Sequence, residues 1–325
     1  MQRRQFIAGL AGVTVGPLAA HGQKAVPVVG FLSDGTSDAV ASYAAAFRKG
    51  LAETAYTDGR NVTITYRWAN GKADRLPALA ADLVAAPVTV IAATGGIEPA
   101  QSARAATTRL PIVFVATGDA VKAGLVRSLA RPGGNVTGIA LATNGLGTRR
   151  LGLLLQFVPR VQTIGFLANP ENPAAETEWR DLQEAARLRG MQTLIVKAGS
   201  AADVEAAFAV LVRQRAGAVV IAGDPVLDGA REEVVALAAR HALPAMHFGQ
   251  EAVAAGGLLA YGPNVIDAYR QGGIYCGRIL AGEKPGELPV MRADLYELAI
   301  NLKTAKTLGL DVPPGLVAIA DEVVE

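Results

Sequence analysis

From residue 26 onward, short apolar runs alternate with amphipathic stretches long enough to form helices. This alternation predicts parallel βαβ units, in which a helix connects each strand to the next strand of the same sheet. Runs such as residues 88–92 are apolar at nearly every position, which is typical of strands covered by helices on both faces. The predicted strands span residues 28–32, 62–66, 88–92, 112–116, 136–140, 164–168, 193–196, 218–222, 245–248 and 258–261.

The predicted strands fall into two series that match each other. Residues 29–32 (VGFL) match residues 164–167 (IGFL), and residues 90–92 (VIA) recur at residues 220–222. Because further short matches keep the same order at nearly constant spacing, we expect an α/β protein with two similar, doubly wound parallel-sheet lobes. The expected organisation is an export signal at 1–22, lobe 1 at 23–142, a hinge crossover at 143–160, lobe 2 at 161–262, and a hinge return with a C-terminal helical segment at 263–325. Crossings between the lobes are expected near residues 141–146, 261–264 and 282–289.

The residues that follow the predicted strands are small, polar or aromatic. Ligands of open parallel sheets bind outside the carboxyl ends of the strands, and two lobes can turn those ends toward a shared cleft. The sequence therefore predicts a ligand site built from these loops. The candidate ligand-binding residues are Ser33, Asp34, Thr94, Gly95, Gly96, Thr117, Gly118, Asp119, Asn144, Asn169, Asp224, Pro225, His247, Phe248 and Tyr261.

Two of these loops indicate what kind of ligand would fit. Residues 94–96 open a predicted helix, whose N-terminus favours an anion such as a carboxylate. An acid in the facing lobe would suit the amine of a zwitterionic solute. Asp224 fits this position, and Asp119 is the alternative.

Some candidates have a structural role as an alternative. Phe248 and Tyr261 are candidates for stacking on an aromatic solute, whereas His247 is equally consistent with ligand contact and with packing. Capping of the next helix is the alternative role for Asp34.

The net charge is concentrated at the N-terminus. The chain has 31 basic and 29 acidic residues, and the two excess bases are Arg3 and Arg4. The remaining chain is balanced, which argues against binding of nucleic acid or a membrane surface. A weakly apolar run that ends in small residues near Ala20 follows the two arginines, as in an export signal. The pattern of Arg3, Arg4, Phe6 and Ile7 resembles a twin-arginine signal, with an ordinary secretory signal as the alternative.

The composition leaves little room for cofactor or metal chemistry. One Cys excludes an intramolecular disulfide, and three His argue against a histidine-rich metal site. The sequence lacks a dinucleotide-binding glycine motif after the first strand, a Walker-type phosphate loop and a nucleophile elbow. We therefore expect neither a cofactor, nor a metal, nor a catalytic residue.

Several stretches carry a family resemblance that covers nearly the whole mature chain. They are residues 66–69 (YRWA), 75–77 (RLP), 124–138, 301–306 (NLKTAK) and 320–323 (ADEV). In these stretches the chain resembles the ABC-transporter substrate-binding proteins of the tryptophan/tyrosine-type family, which have the type I periplasmic binding fold.

The resemblance implies a monomeric periplasmic protein that closes two lobes around a small solute and delivers it to a membrane permease. It implies that the loops carrying Thr94 and Thr117 bind a carboxylate and that Asp224 binds an amine, with an aromatic or branched amino acid as the favoured solute. The pair Asp119-Ala120 departs from the Asp-Pro of many relatives. Two alternatives are an extracytoplasmic ligand sensor and an α/β enzyme such as an amino-acid racemase. A racemase of that kind would need paired Cys or another acid–base pair across the cleft, and the lone Cys276 is wrongly placed for that.

Overall fold

The computed structural model describes residues 26–325 except Ala142 and Asn144, so the expected export signal and the candidate Asn144 lie outside the described residues. The strands β1–β13 span Val28–Ser33, Thr63–Trp68, Val90–Gly95, Ile112–Thr117, Val136–Leu141, Thr163–Ala168, Gln192–Lys197, Ala218–Ile221, Ala245–His247, Leu259–Pro263, Met291–Ala293, Tyr296–Asn301 and Glu322–Val324. The helices α1–α12 span Ala41–Glu53, Leu76–Ala85, Ile97–Ala106, Leu146–Phe157, Pro173–Arg187, Ala201–Arg213, Pro225–Gly229, Arg231–Arg240, Glu251–Ala254, Val265–Leu280, Leu302–Thr307 and Pro314–Ile319.

The first five strands of each lobe follow the same order in the two sheets, which confirms the two similar lobes. The lobe 1 sheet has the order β11-β5-β4-β3-β1-β2, and the lobe 2 sheet has the order β13-β12-β10-β9-β8-β6-β7. These five strands of each lobe are parallel and occupy equivalent positions, so that β1 corresponds to β6 and β3 to β8. All ten predicted strands form, with ends shifted by at most three residues.

The lobes differ at one sheet edge, where the C-terminal part of the chain completes each sheet. The short strand β11 pairs in parallel with β5 of lobe 1, whereas β12 pairs antiparallel with β10 of lobe 2. The segment at 263–325 is therefore not simply a hinge return followed by helices, as expected from the sequence. Strand β12 was missed because its short apolar run leads directly into α11, and the two patterns merge in the sequence.

The chain crosses between the lobes three times. The first two crossings lie between β5 and α4 and between β10 and α10, near the expected positions. The third lies at residues 294–295, between β11 and β12, and not at 282–289 as expected. The 282–289 stretch stays on lobe 1, where Thr137 Oγ1 donates a hydrogen bond of 2.7 Å to the Leu288 carbonyl. Its Gly and Pro residues mark a turn, but they do not indicate the lobe to which the chain turns.

Helix α10 follows a strand of lobe 2 but packs on α1 of lobe 1. A Cβ atom at Gly50 would overlap the Arg270 carbonyl, and one at Gly273 would overlap the Phe47 carbonyl. The two glycines therefore allow α1 and α10 to pack backbone against backbone. This packing places the first turns of both helices at the cleft. None of the helices described between residues 26 and 325 is both long and apolar enough to span a bilayer.

Candidate functional site

A cavity of about 80 Å³ lies between the carboxyl ends of the two sheets, and we call it the main cavity. Since one water needs a cavity of roughly 10–15 Å³, the main cavity has room for several waters or a compact organic group. Most of its wall is apolar or aromatic. The aromatic and aliphatic side chains of this wall include Tyr43, Leu141, Leu227, Phe248, Val265 and Tyr269.

Two tyrosines form the lobe 1 wall of the main cavity. Tyr43 on α1 and Tyr269 on α10 are stacked, with ring centroids 5.0 Å apart and an interplanar angle of 25°. Phe248, which follows β9, lines the lobe 2 wall. Aromatic walls of this kind provide apolar area and ring contacts for a planar side chain.

A hydrogen bond at the main cavity joins the two lobes. The Tyr43 hydroxyl donates to Asp228 Oδ2 on α7 over 2.8 Å, and Arg231 Nε lies 3.2 Å from Asp228 Oδ1. Burial and the nearby Asp228 carboxylate raise the pKa of Tyr43, so its hydroxyl keeps its proton. The two lobes are therefore in contact across the cleft, as in a closed form.

A second cavity of about 40 Å³, which we call the acidic cavity, adjoins the first because Asp224 and Pro225 line both. Asp34 and Glu98 line its lobe 1 side, while Asn169 and Asp224 belong to its lobe 2 side. Burial, and then the charges of Asp224 and Glu98, raise the pKa of Asp34 to about 7, although the hydrogen bond from Gly96 lowers it. Burial also raises the pKa of Glu98 and of Asp224. The cavity thus concentrates negative charge at the junction of the lobes.

Asp34, in the loop after β1, lies against the glycine loop that follows β3. Its Oδ2 accepts a hydrogen bond of 2.9 Å from the Gly96 N–H, while its Oδ1 is buried without a hydrogen-bond partner among the described residues. Gly95 has a φ of +107°, and a Cβ there would overlap the Asp34 carboxylate. One N–H group of the loop that was expected to bind a ligand carboxylate is therefore bonded to a carboxylate of the protein.

Asp224 is the N-cap of α7 and lies across the acidic cavity from Asp34. Its Oδ1 accepts from the backbone N–H groups of Val226 and Leu227, at 2.8 and 3.2 Å. Its Oδ2 accepts from Asn172 Nδ2 at 2.8 Å, and Asn169 Nδ2 lies within 3.3 Å of both oxygens. The protein itself thus satisfies this carboxylate, in contrast to that of Asp34.

The remaining lobe 1 candidates are divided between the cavity wall and the loops behind it. Thr117 lines the main cavity, whereas Ser33 and Thr94 are buried beneath the loops. Ser33 Oγ accepts from the Gly35 N–H at 3.2 Å. Asp119 is exposed, next to Gly118, and caps a turn by accepting two backbone N–H groups at 3.0 Å.

Tyr261 lies at the hinge and not among the lining residues of either cavity. Its ring stacks on Tyr296 with centroids 5.5 Å apart, and its hydroxyl accepts from Arg149 Nη1 at 3.2 Å. The candidates for stacking on an aromatic solute are therefore Phe248, as expected from the sequence, and Tyr43 and Tyr269, because these three rings line the main cavity.

His247 and Phe248 lie over a buried ion pair of lobe 2. Arg150, which is fully buried, pairs with Glu178 and donates to the carbonyls of Ile221 and Met246, at 2.6 and 2.9 Å. Burial, and then the Arg150 charge, lower the pKa of His247 to about 3, so this imidazole is neutral. Arg150 also lies under the Phe248 ring, 5.9 Å from its centroid. The described residues contain no His, Cys, Asp and Glu group arranged to hold a metal.

Five polar or aromatic lining residues were missed in the sequence because they lie on helices. They are Tyr43, Glu98, Asp228, Arg231 and Tyr269. Tyr43, Glu98 and Asp228 belong to the first turns of helices that directly follow loops at the carboxyl ends of the strands, and Arg231 begins α8, which follows α7. Tyr269, on α10, could be assigned only after the chain path across the hinge was known.

Comparisons with known proteins agree with this architecture. Residues 25–324 match the model of the family described as ABC transporter substrate binding protein. A tyrosine-binding protein of Clostridioides difficile is 26% identical over 266 residues, which cover 81% of this chain and 75% of that protein.

Two solved structures share the fold. A conserved domain protein from Vibrio cholerae has a TM-score of 0.83 and 26% identity, and covers 92% of this chain and 99% of its own. A Streptococcus pneumoniae ABC domain in complex with L-Trp has a TM-score of 0.82 and 24% identity, with the same coverage. Proteins of the matched family bind solutes for ABC transporters and act outside the cytoplasm. With two lobes closed over a cleft and a family match over nearly its whole length, the chain belongs to the ABC transporter substrate-binding proteins.

Proposed function

We propose that the solute of this protein is an aromatic L-amino acid. The observation that carries the proposal is the pairing of an aromatic main cavity with an adjoining acidic cavity, because one molecule must then be apolar at one end and cationic at the other. Tyrosine and tryptophan have this character, and they are the solutes of the similar Clostridioides difficile tyrosine-binding protein and of the Streptococcus pneumoniae complex with L-Trp.

The proposed pose places the solute ring in the main cavity between Phe248 and the stacked Tyr43 and Tyr269 rings. The ammonium group points toward the acidic cavity. Thr94 is buried and donates to the Leu32 carbonyl at 3.4 Å, so Thr117 is the better placed hydroxyl for the solute carboxylate.

The proposed mechanism is closure of the lobes about the three-stranded hinge. Solute that binds one lobe favours the state in which the other lobe also contacts it, and the permease recognises that closed state. Supporting this, Tyr43 and Asp228 already join the lobes at the wall of the main cavity. We further propose that the protein is a periplasmic monomer, exported through the signal at residues 1–22.

The proposal includes no chemistry on the solute. The Cys276 thiol is buried in the lobe 1 core, where burial raises its pKa, and His247 has a pKa of about 3. Neither group is suited to exchange protons with a substrate near neutral pH. An amino-acid racemase is therefore not supported by these groups.

Calorimetry on residues 23–325 with the standard L-amino acids tests the proposed solute. We expect saturable binding of L-tyrosine or L-tryptophan. At about 100 times its dissociation constant, such a ligand should stabilise the fold by ~2.7 kcal/mol, which corresponds to a rise in Tm of a few degrees. Binding of sugars or neutral solutes without any response to amino acids would contradict the proposal.

A further inference from the structure

Of the four carboxylates that line the acidic cavity, the two aspartates, Asp34 and Asp224, differ in how much hydrogen-bonding capacity they have left. A carboxylate can accept about four hydrogen bonds. Asp224 already accepts from two backbone N–H groups and two asparagine amides. Asp34 accepts one backbone N–H at Oδ2, and its buried Oδ1 accepts none from the described residues.

The asparagines beside Asp224 cannot supply the missing acceptors. Asn169 Oδ1 accepts from the Glu171 N–H at 3.0 Å, and Asn172 Oδ1 accepts from the Ala174 N–H at 3.0 Å. These bonds fix both amides with their NH₂ groups toward Asp224. Of the two aspartates, Asp34 is therefore the one with a buried oxygen open to an ammonium group, which has only donors.

We propose that Asp34, and not Asp224, is the carboxylate that binds the ammonium group of the solute, and that Asp224 is a positioning residue. Asp224 caps α7 and holds the two asparagine amides, and so forms the opposite wall of the subsite. This inference rests on the proposed amino-acid solute and adds the residue that selects for its amine.

The charges around Asp34 give the ammonium group a second effect, on closure. Closure places Asp224 and Glu171 of lobe 2 against Asp34 and Glu98 of lobe 1 around the acidic cavity. These like charges oppose closure when the cavity is empty, and a bound cation offsets them. A solute that carries an ammonium group thus closes the cleft more readily than an analogue of the same shape that lacks it.

A cycle of protein variants and solute analogues tests the assignment. The solutes are L-tryptophan and L-tyrosine, each compared with its analogue that lacks the amino group, indole-3-propionate and 3-(4-hydroxyphenyl)propionate. The variants are Asp34→Asn, which keeps an acceptor for the Gly96 N–H, and Asp224→Asn, which keeps an N-cap oxygen. Asp38→Asn is the matched control, because Asp38 is an exposed acid in the same loop. Because a folding defect affects both solutes of a pair, the ratio of their affinities isolates the contact with the amine.

We expect the wild type and Asp38→Asn to prefer each amino acid over its desamino analogue. Asp34→Asn should reduce that preference by about 10- to 100-fold, as for loss of a hydrogen bond between charged groups. Asp224→Asn should change the affinity for both solutes of a pair alike and leave the preference in place. A preference lost in Asp224→Asn and kept in Asp34→Asn would overturn the assignment while the amino-acid function stands. A wild type that binds no amino acid would overturn the function, and the inference with it.

Discussion

The two lobes make the same contact between equivalent loops, but with the chemical roles exchanged. In lobe 1 the loop after β1 provides a carboxylate, Asp34, and the loop after β3 provides the Gly96 N–H. In lobe 2 the loop after β6 provides the Asn169 amide, and the loop after β8 provides the carboxylate of Asp224. The same repeated framework therefore holds one acid with an open oxygen and one acid whose oxygens are satisfied.

The lobes also differ in what they bury. The buried polar side chains described in lobe 1 are hydroxyl groups, such as those of Ser33 and Thr137, whereas lobe 2 buries Arg150, Glu178 and Asp224. Burial of a charge is costly unless it is paired and hydrogen-bonded. We infer that the charges of lobe 2 fix its loops, whereas the described part of lobe 1 has one buried carboxylate oxygen without a hydrogen-bond partner, Asp34 Oδ1.

The largest expected effect is on the stability of lobe 2. Glu178→Ala leaves the Arg150 guanidinium buried without its counter-ion and should lower the free energy of unfolding by about 3–5 kcal/mol. Denaturation in urea checks this value. Glu176→Ala is the matched control, because Glu176 forms an exposed ion pair on the same helix and its loss should not change stability measurably. Equal stability of the two variants would show that the buried pair does not support lobe 2.

The second largest expected effect is a difference in protein stability between variants of the two cleft acids, Asp224 and Asp34. Asp224→Ala removes the α7 cap and leaves buried asparagine amides unpaired, so it should cost about 1–3 kcal/mol. Asp34→Ala should cost little or stabilise the protein near pH 7. Folding raises the pKa of Asp34, so the ionised carboxylate destabilises the closed form at pH values above its unfolded pKa. Thermal unfolding of both variants without solute measures the difference, and the reverse order would contradict the roles given to the two acids.

The dependence of solute affinity on pH should follow Asp34. The groups that face it are Glu98 on α3, Glu171 and Asp224 of lobe 2, and Tyr269 on α10, and none of them is cationic. An ammonium group requires the ionised carboxylate, so affinity should fall as the pH falls and Asp34 becomes protonated.

The pKa of about 7 applies to the closed form without solute, and opening admits water and lowers it. Solute affinity should therefore begin to fall at a pH between 7 and the ordinary pKa range of a carboxyl group. Below that pH, the affinity should fall by at most about tenfold per pH unit. Calorimetric titrations of L-tryptophan from pH 8 to pH 5 measure the slope, which Asp34→Asn should remove. The same slope in that variant would assign the titration to another group.

The smallest effect concerns the bond that joins the lobes. Tyr43→Phe keeps the stacked ring but loses the hydrogen bond to Asp228, and should weaken solute binding by about 3- to 10-fold. Tyr275→Phe is the control, because its hydroxyl donates to the Pro289 carbonyl within lobe 1. An unchanged dissociation constant in Tyr43→Phe would show that this bond does not contribute to closure.

Much of the fold was predictable from the sequence, because continuous apolar strands and a repeat at constant spacing can both be seen in the sequence itself. The loops at the carboxyl ends of the strands were predictable for the same reason. The partners of their side chains were not, since Asp34 and Gly96 are 62 residues apart. The resemblance implied that Asp224 binds the amine. Only the contacts of Asn169 and Asn172 show that its oxygens are already occupied.

The central claim, that the open oxygen of Asp34 receives the solute amine, is tested most directly by a crystal structure of the protein grown with L-tryptophan. The account predicts the solute nitrogen within about 2.7–3.2 Å of Asp34 Oδ1, with Asp224 still bonded to Val226, Asn169 and Asn172. A solute nitrogen bonded to Asp224, with Asp34 contacting only the Gly96 N–H, would contradict it.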